Sequence, residues 1–301
     1  MNDLIVIGAG PAGITSAVYA ARKKLDTLVI TRDIGGQAAW SGDIENYTGY
    51  QFISGPELAR KFEEHMRKYG IKLKEGESAV EIKKEGPEIN VITDKGAYQT
   101  RALIVASGKH SRELDVPGER EFKNRGLTYC ATCDGPLFQG KDVAVIGGGN
   151  SALDAILQLV KIARSVFVVN MGDELGGDAV MRDKVLSSKN VTVFNRSEVK
   201  AISGEKFVSA IKIKRQDKFE DLVVQGVFVE IGLVPNSSFA KLLDRNEAGE
   251  IKVNSRNETS VPGIFAAGDV TDVPEKQIII AAGEGAKASL SAFRYLARNK
   301  F

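Results

Sequence analysis

Cysteine occupies only two of the 301 positions, Cys130 and Cys133, and histidine only two more, His65 and His110. A structural zinc centre needs four ligands, and these four residues share no metal-binding spacing, which argues against zinc. A scaffold stapled by disulfides is no better, since a bridge from Cys130 to Cys133 would close almost no loop. No apolar run reaches the roughly eighteen residues that a membrane span requires. Basic runs are missing too: 41 Lys and Arg are interspersed with 39 Asp and Glu, which argues against nucleic acid as a partner. The apolar start, Met1 to Gly10, carries Asp3 and no basic stretch, so it does not resemble a signal peptide. A reducing cytoplasm is the expected compartment.

What the chain does have is chemistry concentrated in one place. Cys130-Ala131-Thr132-Cys133-Asp134 sets two thiols two residues apart. Such a pair closes to a disulfide and reopens, taking up two electrons and two protons per cycle. Asp134 is a carboxylate placed to move a proton as a thiolate forms or leaves, and burial would raise its pKa. A working dithiol needs an electron source. With 43% apolar residues, a chain of this length can build two domains of ordinary size.

The electron source is indicated by a repeat. Leu4 to Ile7 is a short apolar run of the kind a buried parallel strand shows, and it leads into Gly8-Ala9-Gly10-Pro11-Ala12-Gly13 and a helix rich in small residues. In a dinucleotide fold Gly8 permits the tight turn, Gly10 lets the backbone approach a pyrophosphate, Gly13 lets the helix lie close, and the helix N-terminus faces the phosphates. Thr27 to Ile30 supplies the second strand. The pattern returns 139 residues later, with a strand at Asp142 to Ile146, the turn Gly147-Gly148-Gly149-Asn150-Ser151-Ala152, a helix, and a strand at Ser165 to Val169. Thr31 and Asn170 each fall 18 residues after the last motif position, so the two units are in register. Two dinucleotide folds around a Cys-x-x-Cys suggest a nicotinamide, a flavin and a disulfide in series.

Between the units, Pro56 to Tyr69 has apolar residues at helical spacing, with Pro56 suited to the first turn. His65 lies beside that stripe and reads as a packed or solvated helix residue. Strands are expected around Val80 to Ile82, Ile89 to Ile92 and Ala102 to Val105. The last runs into Ala106-Ser107-Gly108, where a chain would pass close to a bound cofactor, and Val116-Pro117-Gly118 reads as the linker. Further strands are expected at Val191 to Phe194, Phe207 to Ile213 and Val227 to Glu230, with Gly232 to Pro235 as the return crossing. A strand at Ile264 to Ala267 ends in Gly268-Asp269, and an Ala-rich helix follows from near Gln277. Asp269 is placed to accept from ribityl or ribose hydroxyls, or else serves as an ordinary turn residue. The N-terminus of the last helix would stabilise negative charge on a reduced flavin ring. Trp40 reads as a packed residue, with shielding of a flavin as the alternative.

Taken in order, Gly8-x-Gly10-x-x-Gly13, Gly35-Gly36-Gln37, Cys130-Ala131-Thr132-Cys133-Asp134-Gly135, Gly147-x-Gly149-x-x-Ala152 and Gly268-Asp269 resemble low-molecular-weight thioredoxin reductases over essentially the whole chain. The runs Cys133 to Phe138 and Gln277 to Phe293 are similar to the flavoprotein component of alkyl hydroperoxide reductase. The resemblance implies an α/β fold of two Rossmann-like, three-layer dinucleotide-binding domains, the second inserted into the first. An FAD domain would comprise residues 1–112 and 246–301, and residues 113–245 would carry the pyridine nucleotide and the dithiol. It assigns FAD to Gly8, Gly10, Pro11, Ala12, Gly13, Thr31, Gly36, Gln37, Asn46, Ala106, Gly108, Gly268, Asp269, Gln277 and Ile278. Pyridine nucleotide falls to Gly147, Gly149, Asn150, Ser151, Ala152 and Asn170. In the family pattern Cys133 faces the flavin, Cys130 attacks the partner disulfide and Asp134 exchanges the proton. The resemblance also implies a homodimer, a rotation between domains, and a separate thioredoxin-like partner in place of the extra thioredoxin-like domains of the hydroperoxide reductase flavoprotein.

One stretch departs from the pattern. NADPH-using members place an arginine cluster after the second strand of the nucleotide fold, because the 2′-phosphate needs cations. Here Asn170 to Asp178 holds three acids and no base before Arg182. NADH is favoured over NADPH, with Asn170 able to bond a ribose diol and Asp173 or Glu174 assisting. The expected activity is an FAD-dependent thioredoxin-disulfide reductase. The alternatives are the reductase component of an alkyl hydroperoxide or peroxiredoxin system, a ferredoxin-dependent thioredoxin reductase, and a flavin-bound redox sensor with a decayed nucleotide site.

Overall fold

The structure, a computed structural model, describes residues 1–40, 43–44 and 46–299, without the side chains of Trp40, Asp43 and Cys133. The readings of Trp40 as a flavin shield and of the Cys133 thiol as its partner therefore lie outside the described residues. The chain divides into two units, residues 1–110 with 234–301, and residues 111–233. The short strands at the two crossings, Lys109–Ser111 and Leu233–Pro235, pair with each other.

In the first unit a seven-stranded sheet has the order Lys72–Glu75, Thr27–Ile34, Asn2–Ala9, Ala97–Val105, Glu88–Thr93, Ala79–Glu85, with Ile264–Ala266 also paired to Ala97–Val105. Asn2–Ala9 is parallel to both of its neighbours, so its buried run Leu4 to Ile7 is covered on both faces, as a central parallel strand must be. Helix Pro11–Arg22 packs with the long helix Ile278–Arg298 on one face of this sheet; Ala12, Ala17, Ala288 and Ala292 share one core with Leu4, Val6 and Ile104. Small residues let the two helices approach: the Ser16 hydroxyl lies 2.8 Å from the Ala12 oxygen and 2.9 Å from the Gly285 oxygen. Helix Gly55–Lys68 starts where Ser54 accepts the Glu57 N–H and buries Leu58 and Met66, at the spacing the sequence indicates. Among the described residues no helix is long and apolar enough to cross a membrane.

The second unit is built on a five-stranded parallel sheet in the order Leu127–Thr128, Gly226–Val229, Asp142–Ile146, Ser165–Val169, Val191–Phe194. A three-stranded antiparallel sheet, Ser197–Gly204, Val208–Arg215 and Lys218–Val223, joins it. Only the middle one of these three strands stood out in the sequence.

The boundaries of the units fall at other residues than the sequence suggests. Val116 packs against the core of the second unit, and a Cβ on Gly118 would overlap the Ile202 carbonyl, so Val116 to Gly118 belongs inside that unit. Phe239, Ala240 and Leu243, expected in the inserted segment, are buried in the first unit's core with Ile5, Val105 and Ile264. Asn236 ties in the same segment, with its Nδ2 donating to the Ser107 oxygen at 2.8 Å and its own oxygen accepting from the Ser107 hydroxyl at 2.6 Å.

Candidate functional site

In the first unit the parallel strands end at a cradle of small residues. Helix Pro11–Arg22 begins at Gly10 without a side-chain cap, so its first N–H groups, at Pro11's successors Ala12 and Gly13, are left for a ligand. A Cβ on Gly13 would overlap the Gly8 carbonyl, whereas one on Gly10 would meet only the Gly35 oxygen, at 3.9 Å. The helix thus lies tight on the turn, and the backbone at Gly10 is open to a phosphate. Ala106 backs the same turn from the neighbouring strand, against Gly8. Gly36 opens a short 3-10 turn, and Gly108 has open space around its α-carbon.

Two contacts bring sequence-distant candidates together here. Gln37 Nε2 donates to Asp269 Oδ2 at 3.5 Å, and Asn46 Nδ2 donates to Gln277 Oε1 at 3.1 Å. Gln277 caps the helix whose first residue is Ile278, and Gly268 packs on Ala12. Burial pushes the Asp269 carboxyl up, against the pull of Lys276 and Lys109. Thr31 behaves differently: it is buried, and its hydroxyl accepts the Ala9 N–H at 3.1 Å and donates to the Asp33 oxygen at 2.5 Å. Its side chain closes the strand ends upon each other. Uncapped N–H groups, an open backbone at Gly10 and polar side chains at the strand ends fit a dinucleotide of the FAD type.

Sequence reasoning missed an ion cluster beside this cradle. Glu250 bonds Lys109 at 2.5 Å and lies 3.2 Å from Lys276, with all three side chains largely buried. Burial alone would raise the Glu250 carboxyl, but hydrogen bonds from Lys109, Asn246 and Lys276 outweigh it and hold it at about 2.

The second unit repeats the arrangement. Helix Asn150–Leu159 starts at Gly149 without a side-chain cap, and a Cβ on Gly149 would have open space around it. Ser151 is exposed in the first turn and Ala152 is buried against the core. These features fit a pyridine nucleotide laid over the turn. Asn150 is exposed, with its Oδ1 accepting the Asp178 N–H at 2.7 Å. Asn170 is buried and occupied within its own loop: its Nδ2 donates to the Glu174 oxygen and to Asn195 Oδ1, both at 2.9 Å, and its Oδ1 accepts the Gly172 N–H at 3.2 Å. Arg196, well outside the stretch searched in the sequence, reaches this corner and pairs with Asp173, Nε to Oδ1 at 2.7 Å. A base therefore stands beside the loop that follows strand Ser165–Val169, engaged by an acid.

The dithiol turn grows from the edge strand Leu127–Thr128. Cys130 is disulfide-bonded and precedes helix Ala131–Asp134. The Thr128 hydroxyl donates to Asp134 Oδ2 and accepts the Cys130 N–H, the latter at 3.2 Å. One buried hydroxyl thus fixes both the cysteine backbone and the carboxylate. Next to the turn, Glu119 is almost fully buried and accepts the N–H groups of Leu114 and Asp115, each at 2.7 Å, and the Tyr129 hydroxyl at 2.9 Å. Burial and that bond push the Tyr129 hydroxyl far up. Glu230, also overlooked, sits beneath the turn: burial raises its carboxyl to about 7, opposed by a hydrogen bond from the Ala131 backbone and aided by Asp154. An acid closing the apolar run Val227 to Val229 was the signal for it. Neither histidine joins these groups: His65 rests against Tyr69, and His110 Nδ1 lies 2.6 Å from Asn236 Oδ1.

Residues 2–285 match the model of the pyridine nucleotide-disulphide oxidoreductases. The chain is 45% identical over 305 residues to a component of the alkyl hydroperoxide reductase of Pseudomonas aeruginosa, covering 98% of this chain and 58% of that protein. It is 44% identical over 301 residues to a protein of Ferdinandcohnia aciditolerans named NADH dehydrogenase, covering 99% of this chain and 58% of the relative. The chain thus spans rather less than two thirds of the length of these relatives. Among solved structures, thioredoxin reductase from Streptococcus pyogenes superposes with a TM-score of 0.87 at 37% identity, covering 99% of each chain.

Proposed function

The chain belongs to the pyridine nucleotide-disulphide oxidoreductase family, and from that premise we propose that it passes two electrons from a reduced nicotinamide nucleotide through FAD to the Cys130 and Cys133 pair, and on to a thioredoxin-like protein. The observation that carries the proposal is the dithiol turn itself, where Thr128 holds both Cys130 and Asp134 in a unit that also offers an open, uncapped nucleotide turn. FAD, bound over Gly8 to Gly13, would supply two-electron transfer between nucleotide and disulfide. NADH is the donor we favour, because Asp173 engages Arg196 and further acids line the same loop.

The chain's own residues then divide the work. Two electrons and two protons convert the Cys130 and Cys133 disulfide to two thiols. Asp134, oriented by Thr128, takes up one of those protons. The thiolate of Cys130 attacks the partner disulfide, forming a mixed disulfide and expelling one partner sulfur as a thiolate, which takes the proton that Asp134 releases. Attack by Cys133 on the mixed disulfide then frees the second partner thiol and restores the starting bond. A homodimer is part of this reading. The name of the Pseudomonas relative supports a second reading, in which the partner belongs to a peroxide-removing system. Both readings are tested by counting thiols after anaerobic reduction with NADH, and by Cys130→Ser, which must abolish delivery to the partner while leaving flavin reduction intact.

A further inference from the structure

Glu230 is the first residue past Gly226–Val229, a strand buried along its whole length. That strand lies between the one leading to the dithiol turn and the one leading to the nucleotide turn. Both ladders are parallel, with Thr128 opposite Phe228 and Ile146 opposite Val229. Continued past the strand ends, the two registers bring Glu230 level with Cys130 on one side and with Gly147 on the other. The contacts agree. The Glu230 N–H donates to the Ile146 oxygen at 2.8 Å, a Cβ on Gly147 would overlap the Glu230 carbonyl, and the Glu230 carboxylate accepts the backbone N–H of Ala131. Since the Ala131 nitrogen is bonded to the carbonyl carbon of Cys130, the carboxylate sits within about 5 Å of the Cys130 main chain.

We propose that Glu230 is a positioning residue of the dithiol: its carboxyl group anchors the turn at Ala131 and, through its own charge, sets the thiolate fraction of reduced Cys130. This rests on Cys130 being a working thiol, as argued above. An amide would satisfy the Ala131 N–H equally well, so the anchor alone does not call for an acid. The acid adds a switchable charge. Burial, with Asp154 facing it from helix Asn150–Leu159, brings the Glu230 carboxyl to about 7. The turn Gly147 to Gly149 and the strand Gly226–Val229 carry no charged side chain, and Asp134 on the dithiol helix is turned to Thr128. Below that pH Glu230 is neutral and the thiolate is unopposed. Above it a carboxylate stands beside the backbone that carries the thiolate, and like charges raise a thiol pKa.

The test uses holoprotein reduced with dithiothreitol and freed of it, with the rate of iodoacetamide labelling at Cys130 followed by peptide mass spectrometry across pH. The wild-type profile should carry an inflection near pH 7 in addition to that of the thiol. E230Q keeps an acceptor for Ala131 and should lose that inflection, labelling about three- to tenfold faster above it. D154N, a change on an exposed helix face, should move the wild-type inflection to lower pH. An E230Q profile superimposable on wild type, or an inflection unmoved in D154N, overturns the proposal. Because the reduction is chemical, failure of every nucleotide to reduce the flavin would count against the reductase reading and leave this readout intact.

Discussion

Replacing Thr128 by valine removes one hydroxyl while keeping the shape of a side chain that is only 7% exposed. The structure assigns that hydroxyl two duties, donation to Asp134 Oδ2 and acceptance of the Cys130 N–H. A hydrogen bond to a charged group contributes about 1.5–3 kcal/mol. If the Asp134 carboxylate must be held to exchange its proton, that loss slows transfer to the partner by about ten- to a hundredfold. On the proposed scheme flavin reduction precedes the dithiol step, so the two steps should separate. The assay is stopped-flow, with flavin reduction by NADH followed alone and partner reduction followed at saturating donor. Thr128→Val should leave the first rate within about twofold and depress the second, and Thr128→Ser, which restores the hydroxyl, should recover most of it. Equal turnover in the valine variant and wild type, or a serine variant as slow as the valine one, would refute the reasoning.

Two further outcomes follow from ion pairs. Asp173→Asn releases Arg196 beside the loop after strand Ser165–Val169, so on the proposed reading the ratio of kcat/KM for NADPH over NADH should rise about threefold, the scale expected of one exposed charge contact; an unchanged ratio would mean that Arg196 lies off the nucleotide path. Glu250 is held at about 2 against an ordinary value of 4.5, which corresponds to about 3 kcal/mol. A carboxyl depressed in the folded state stabilises it fully above its unfolded pKa and stops doing so as pH falls through the folded one. Acid unfolding of the wild type should therefore lose this contribution between about pH 4.5 and pH 2, and Glu250→Gln should be destabilised at neutral pH with a flatter acid limb. Identical acid limbs would remove the cluster from the stability account.

The parts of this molecule that were legible in its sequence are those specified locally. Leu4 to Gly13 and Val143 to Ala152 announce strand, turn and helix because buried parallel strands read as apolar runs and because Gly8, Gly13 and Gly147 answer contacts that admit no side chain. The cysteine pair and Asp134 are adjacent in sequence and remain so in space. What stayed hidden depends on tertiary placement. Phe239, Ala240 and Leu243 look like any apolar residues until the core of the first unit claims them. Asn170 offers the right chemistry for a ribose diol, yet Asn195, Gly172 and Glu174 occupy its amide. Thr128, Arg196 and Glu230 carry no motif; each matters through a partner that the sheet register or a loop brings to it. The pairs Gln37 with Asp269 and Asn46 with Gln277 lie between these extremes, named one by one in the sequence and joined only by the fold.

The most direct measurement is the number of thiols that a reduced nucleotide generates. FAD-loaded protein, oxidised and held without oxygen or partner, is treated with excess NADH and its thiols are counted with a chromogenic disulfide. The chain has only two cysteines, so electron delivery to the dithiol must yield two new thiols per chain, and Cys130→Ser must prevent the disulfide from forming at all. A bleached flavin with no new thiol would contradict the account, because the electrons would then stop short of the turn around which Thr128, Asp134 and Glu230 are gathered.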